Sequence, residues 1–243
     1  MATESSIRHE RHASAEPTDL RTRIDAVLAR IAEAARTSGR PPEDVTLVAV
    51  SKTVPRSQVD EAFALGLRHF GENRVQDAGR KFAEPLPAGG RLHLIGQLQS
   101  NKARAAVALF DMIESVDRLS LIDALAKEAE RRGQALPVLL QVNVAREPQK
   151  AGCDADVAPH LMERLVGSPW LQPRGLMTMA PLVADPEEVR PVFAGLRTLR
   201  DGLQRTYEEI DLGTLSMGMT NDFLVAIEEG ATSVRIGRAI FGE

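Results

Sequence analysis

Lys52 stands where the apolar run of "LVAVSK" stops, and a new segment begins at Pro55. Far along the chain, "SMGMTND" (216–222) and "RIGRAIFG" (235–242) carry glycines beside a hydroxyl, Ser216, and two guanidinium groups, Arg235 and Arg238. Glycine lets backbone approach a ligand closely, and the N–H groups that open a helix attract anions. Each stretch alone would be read as a tight turn; the two together read as a phosphate-holding pair. An amine set against a phosphate site suits pyridoxal phosphate bound as an aldimine, because burial in a barrel mouth helps deprotonate the amine and so make it a nucleophile. Two other readings of Lys52 stay open: a Schiff-base aldolase with a phosphorylated substrate, and a solvated lysine at a strand end.

Arg235 narrows the chemistry. A permanently charged guanidinium against a pyridine nitrogen disfavours protonation of that nitrogen, which weakens the ring as an electron sink. Transamination and decarboxylation become less favourable. The competing use of Arg235 is an ion pair with Glu228 or Glu229, and spacing alone rates the two evenly.

These residues need a scaffold that brings distant loops together. The segment 18–38 has apolar residues Leu20, Ile24, Val27, Leu28 and Ile31 at helical spacing, with Thr18 to cap it and Gly39 to end it. After it, short apolar runs alternate with helical patterns. The runs are "VTLVAVS", "RHFG", "LHLIG", "DMIESV", "LPVLLQVNV", "RGLMTMA", "GTLSMG" and "SVRIG". Nearly continuous apolar runs mark strands covered on both faces. Eight such β-α units predict one (β/α)8 barrel with an extra N-terminal helix on its exterior. A doubly wound open sheet is the runner-up, but no GxGxxG follows the first strand. In a barrel the ends of the strands share one rim. That rim gathers Lys52, "GEN" (71–73), "GQLQSNK" (96–102), Asn143, and the segments 177–181, 216–219 and 235–238.

Composition sets the surroundings. A formal charge of −4 offers no electrostatic footprint for DNA or RNA. The single cysteine, Cys153, cannot make an internal disulfide, which fits a reducing, cytoplasmic setting. No apolar stretch reaches the length of a membrane span, and the N-terminal residues lack the apolar core of a signal peptide. Residues 1–17 read as a flexible tail and 18–243 as one domain, with no metal site expected.

The motifs "LVAVSKTVP", "FGENRVQD", "LIGQLQSNK", "GLMTMAP", "LSMGMTNDF" and "VRIGRAIFG" resemble the YggS/PROSC family of pyridoxal phosphate homeostasis proteins, in order and from about residue 24 to 242. The resemblance implies a monomeric or weakly associating barrel similar to the N-terminal domain of alanine racemase. It implies a cofactor joined to Lys52, and a pocket formed by Asn73, Ser216, Met217, Arg235, Gly237 and Arg238. It also implies a secondary site at Lys150, which spacing alone would leave as a solvated loop lysine. The chain departs from the family pattern at Arg238, where many relatives have Thr or Ser, and at Gln97, where His or Pro is common. It also stops soon after "FGE".

Two functions compete. A carrier would bind pyridoxal phosphate, limit its free aldehyde and supply it to apo-enzymes. A racemase would need a base on each face of the substrate Cα. Tyr207 lies in a charged helical stretch far from any strand end, Cys153 reads as a partly buried structural thiol, and His93 as a hydrogen-bonded residue inside the third strand. That base inventory favours the carrier, with racemase-like activity as the alternative.

Overall fold

A computed structural model of the chain describes residues 19–147 and 149–242; the tail expected over 1–17 lies outside the described residues. The first helix, α1 (Leu20–Thr37), is capped by Asp19, whose carboxylate accepts from the Thr22 N–H at 2.7 Å. The cap is therefore Asp19, while Thr18 lies outside the described residues. Leu20, Ile24, Val27 and Ile31 turn one stripe of α1 into the core, as their spacing predicts. Gly39, one residue past the Ser38 cap, takes a left-handed φ of 71°.

The chain then alternates strand and helix. It runs β1 (Thr46–Val50), α2 (Arg56–Ala64), β2 (His69–Glu72), α3 (Val75–Lys81), β3 (Arg91–Leu94), α4 (Ala103–Leu109), β4 (Met112–Val116) and α5 (Leu119–Arg132). The second half runs β5 (Leu136–Gln141), α6 (Ala158–Val166), β6 (Leu171–Met177), α7 (Arg190–Thr206), β7 (Thr214–Ser216), α8 (Phe223–Glu228), β8 (Ser233–Ile236) and α9 (Arg238–Phe241). Every strand pairs in parallel with its neighbour in chain order, and β8 closes on β1. This is the expected (β/α)8 barrel with a helix before its first strand.

The helices shield the outside of the barrel through apolar stripes. In α5 the stripe is Leu121, Ile122, Leu125 and Ala129, all fully buried. Each leucine or isoleucine so buried contributes about 1.5–3 kcal/mol. Helix α1 packs against α8 and α9, where Arg23 Nε donates to the Ile240 carbonyl at 2.6 Å and the Arg30 guanidinium lies 4.9 Å from the Phe223 ring centre. It thereby braces the β7 and β8 loops from outside.

Strand β6 begins earlier than its apolar run suggests. Leu171 pairs with Leu136 and Pro173 with Val138, so "LQP" belongs to the strand despite its proline. The register shifts between Val138 and Leu139, and such an irregularity accommodates a residue that cannot donate to the ladder.

Candidate functional site

The strand ends converge on a cavity of about 1140 Å³ at the C-terminal rim of the barrel. Its wall includes Lys52, Asn73, Arg235, Gly237 and Arg238, and also Lys150. Ser216 and Met217 are fully buried beneath it and are absent from its lining. Asn143 is likewise elsewhere: its side chain ties its own loop, accepting from the Glu147 N–H at 3.3 Å and donating to the Glu147 carbonyl at 2.8 Å.

Lys52 follows β1 in a turn that Ser51 anchors. The Ser51 hydroxyl donates to Glu72 Oε1 at 2.8 Å, and the Lys81 ammonium bonds both Glu72 Oε1 at 2.9 Å and the Ser51 carbonyl at 2.5 Å. Ser51 and Glu72 are buried, so a charge-assisted clamp fixes the residue next to Lys52. Lys52 itself is exposed and has no ion pair or hydrogen bond within the described residues. The burial expected around its amine is thus not found. Ser51 takes the buried position at the strand end and leaves Lys52 on the open turn.

Arg235 has the opposite environment. Its guanidinium is buried, donates from Nη1 to Ser216 Oγ at 2.6 Å and from Nη2 to the Thr178 carbonyl at 2.8 Å, and still borders the cavity. A guanidinium carries five N–H donors, so donors remain for an occupant. Burial lowers its pKa, opposed by the charges of Glu114 and Asp222. The pairing with Glu228 or Glu229 is not made. Those carboxylates go to Arg190, at 2.6 and 3.0 Å, and Glu229 also to Arg197 at 3.0 Å, on the outside of the barrel.

Below Ser216 the polar contacts continue. Ser216 Oγ lies 2.6 Å from Glu114 Oε2, Glu114 Oε1 lies 2.7 Å from His93 Nδ1, and His93 Nε2 lies 2.9 Å from His69 Nδ1. His93 is thus the hydrogen-bonded interior residue its position suggests. His69 is held down at about 4, by burial first and then by the charges of His93 and Arg91, while Glu114 and Asp111 pull the other way. A histidine whose folded pKa lies below its unfolded value contributes stability above the unfolded pKa and loses it as pH falls. Replacing His69 with Asn is therefore expected to flatten the fall in unfolding free energy between pH 6.5 and about 4, measured by denaturant titration at stepped pH.

The β7 and β8 loops approach each other across the rim. Gly237 is packed so that an added Cβ would sit 3.0 Å from the Val50 carbonyl oxygen, joining the end of β8 to that of β1. Arg238 is exposed and reaches Asn221 Oδ1 at 3.4 Å. Among the described residues Asp222 is the one carboxylate lining the cavity, and its Oδ1 accepts from the Met219 N–H at 2.5 Å. Burial holds the Asp222 carboxyl above its ordinary value, against the Met219 N–H and the charge of Arg235. Among the described residues six cations line the same wall: Lys52, Arg74, Lys102, Lys150, Arg235 and Arg238. In a chain of net charge −4, that concentration favours an anionic ligand. Lys150 is partly buried and meets Glu147 Oε2 at 2.6 Å, rather than standing free in solvent.

Cys153 is buried beside the end of β5, bridged to Val142. Burial first, then the charge of Asp117, pushes its thiol up to about 12. The folded protein is accordingly expected to resist thiol reagents at pH 8 and to react with them at once in denaturant, an outcome read by colorimetric thiol counting.

Sequence reasoning missed Glu114 and the Glu72–Lys81 clamp, and reached Thr178 only as part of the rim segment 177–181. Glu114 and Glu72 each left a signal, a carboxylate inside an otherwise apolar strand run, which must find a partner when buried. Thr178 takes part through its backbone carbonyl, which no side-chain pattern could reveal.

A parallel barrel with an unpaired amine and a buried guanidinium facing one cationic cavity defines a class of rim-site α/β barrels. The chain belongs to the family described as the alanine racemase N-terminal domain, whose family model matches residues 23–243, and within it to the pyridoxal phosphate homeostasis proteins. It is 42% identical over 221 residues to the protein of that name from Aquifex aeolicus, covering 91% of this chain and 96% of the relative. With the one from Pseudomonas aeruginosa it shares 45% over 219 residues, 90% and 93% of the two chains. The solved structure of PipY from Synechococcus elongatus with pyridoxal phosphate bound superposes with a TM-score of 0.80 at 39% identity, covering 92% of this chain and all (100%) of that one. Alanine racemase from Corynebacterium glutamicum shares the fold at 16% identity and a TM-score of 0.67, over 90% of this chain and 61% of that one. Among the described residues no helix is long and apolar enough to cross a membrane.

Proposed function

We propose that this chain binds pyridoxal 5′-phosphate in the rim cavity, joined to the amine of Lys52, and acts as a carrier that supplies it to apo-enzymes. The observation that carries the reading is an unpaired amine and a buried, donor-rich guanidinium lining one cavity from the neighbouring strands β1 and β8. The donor set fits the cofactor's parts. Lys52 answers the aldehyde, Arg235 the pyridine nitrogen, and Gly237 with Arg238 and the loop 218–222 the phosphate, with Asn73 on the ring's flank. When bound, the cofactor supplies an aldehyde carbon and a conjugated ring; the protein limits that aldehyde by covalent capture. Ser216 serves from beneath, through Arg235, and Met217 packs under the same floor. Lys150, on the cavity wall with Lys102, is a further amine available to an aldehyde and the secondary site of this reading.

The carrier reading is supported by where the other proton-transfer candidates lie. Tyr207 caps the end of α7 away from the cavity lining, and Cys153 is buried with a raised pKa. A racemase-like activity would need one of them opposite Lys52. Because the cavity is built within one chain, we place the function in a monomer, and the buried unpaired cysteine accords with a cytoplasmic home. The test is to load the purified protein with pyridoxal phosphate, reduce with borohydride, digest, and weigh the peptides. A reduced adduct on the peptide containing Lys52 is expected. Label confined to other lysines would overturn the assignment.

A further inference from the structure

The polar column under the cavity runs the depth of the barrel. Its lower end, at His69 and His93, opens into a second cavity of about 280 Å³ that Asp44, Thr46, Glu114 and Ser233 also line. Its upper end is Arg235, on the floor of the rim cavity. Between them the side chains of Glu114 and Ser216 are 1% and 0% exposed, so water cannot compensate the charge of the guanidinium from that side.

The directions of the hydrogen bonds are fixed by chemistry. An ionised carboxylate only accepts, so the single Ser216 proton points to Glu114 and the Ser216 lone pair receives Arg235 Nη1–H. His93 donates from Nδ1 to the other carboxylate oxygen whether the ring is neutral or charged. Both oxygens of Glu114 are thereby held. Burial pushes the Glu114 carboxyl upward, but the hydrogen bond and charge of His93, the charge of Arg235 and the Ser216 hydroxyl outweigh it and leave it below its ordinary value. Asp222, the other acid acting on Arg235, turns its Oδ1 to the Met219 N–H instead.

We propose that Glu114 is the positioning residue of Arg235: through the Ser216 hydroxyl it provides the counter-charge that keeps the guanidinium buried and turned to the cavity floor. The pairing stands on the protein alone. Its consequence for a ligand rests on pyridoxal phosphate being the occupant: the net charge under the ring is set by an acid that never touches it.

The test is a double-mutant cycle on the full chain without cofactor, using Glu114→Gln, Arg235→Gln and both together. Breaking a buried pair from one side is strongly destabilising, so each single variant is expected to lower the melting midpoint by about 10 °C. The double variant, with neither charge, is expected to fall by clearly less than the two single losses added. Additive losses would overturn the proposal. If a single variant does not fold, recovery of folding in the double variant supports the pairing, and failure of the double variant overturns it. The second readout is spectroscopic, on loaded Glu114→Gln. Removing a negative charge from below disfavours a protonated, cationic chromophore, so the pH midpoint of the bound cofactor's visible absorption is expected to fall by about one unit. An unmoved midpoint in protein still labelled at Lys52 overturns the consequence for the ligand. Failure of the unaltered chain to label at Lys52 would sink the cofactor reading and leave the thermal cycle intact.

Discussion

Lys52→Ala is expected to lose the borohydride-trapped adduct entirely while leaving a folded barrel that still binds pyridoxal phosphate weakly and reversibly. The reasoning separates two kinds of contact. On the proposed reading the covalent bond has one donor, on the turn after β1, and among the described residues no side chain holds that amine. The other contacts of that reading, through Arg235, Gly237 and Arg238, do not depend on it. Because Lys52 is exposed and unpaired, its removal should change stability by no more than about 0.5 kcal/mol. The mass of the borohydride-reduced peptide gives the first quantity and thermal melting the second. If Lys52→Ala kept an undiminished adduct, the covalent role would pass to another lysine of the cavity wall, with Lys150, beside the Glu147 carboxylate, ahead of Lys102.

A large loss of stability is expected from Gly96→Ala. Gly96 follows β3 with the Asn73 backbone pressed against it, so an added methyl would overlap the Asn73 carbonyl, with the Asn73 Cα 2.8 Å away. Backbone cannot swing aside as a side chain can. Either the β2–α3 loop moves or the strand end does, at a cost of about 3 kcal/mol or more, near 10 °C in melting midpoint. Asn73 borders the cavity, so the same change should also weaken cofactor binding. Gly79→Ala is the matched control. It lies within α3 with nothing within 4 Å of the added methyl, and is expected to stabilise by about 0.5–1 kcal/mol. A melting midpoint for Gly96→Ala equal to that of the unaltered chain would show that the two loops are not packed as described.

The barrel was legible because parallel strands covered on both faces leave an unbroken apolar run, and eight such runs alternate with helical stripes. The rim followed from topology: β1 and β8 are neighbours, so Lys52 and Arg235 had to lie close although 183 positions apart (235 − 52). What sequence could not give was which way each polar group turns. Arg235 reads equally well as facing solvent acids or the barrel interior until the partners of Glu228 and Glu229 are known. Ser216 looks like a ligand contact from its motif, yet strand alternation puts its hydroxyl inside the barrel and commits it to Glu114. Lys52 and Ser51 are adjacent, and only the turn geometry decides which is buried. The start of β6 was missed because Pro173 argues against a strand, and the register shift that admits it is a property of the pair β5–β6, not of either sequence.

An exposed amine at an open mouth has a kinetic consequence. Among the described residues no segment covers the exposed Lys52 side chain, so on the proposed reading an outside amine or a water molecule would meet a carbon attached to it without a segment first swinging away. Exchange should then run at the speed of carbonyl chemistry, rising with the concentration and basicity of the incoming amine, and not at the speed of a door. On the proposed reading the protein would buffer a reactive aldehyde, keeping the free level low and refilling it on demand, with the rigid barrel contributing position and the solvent contributing traffic.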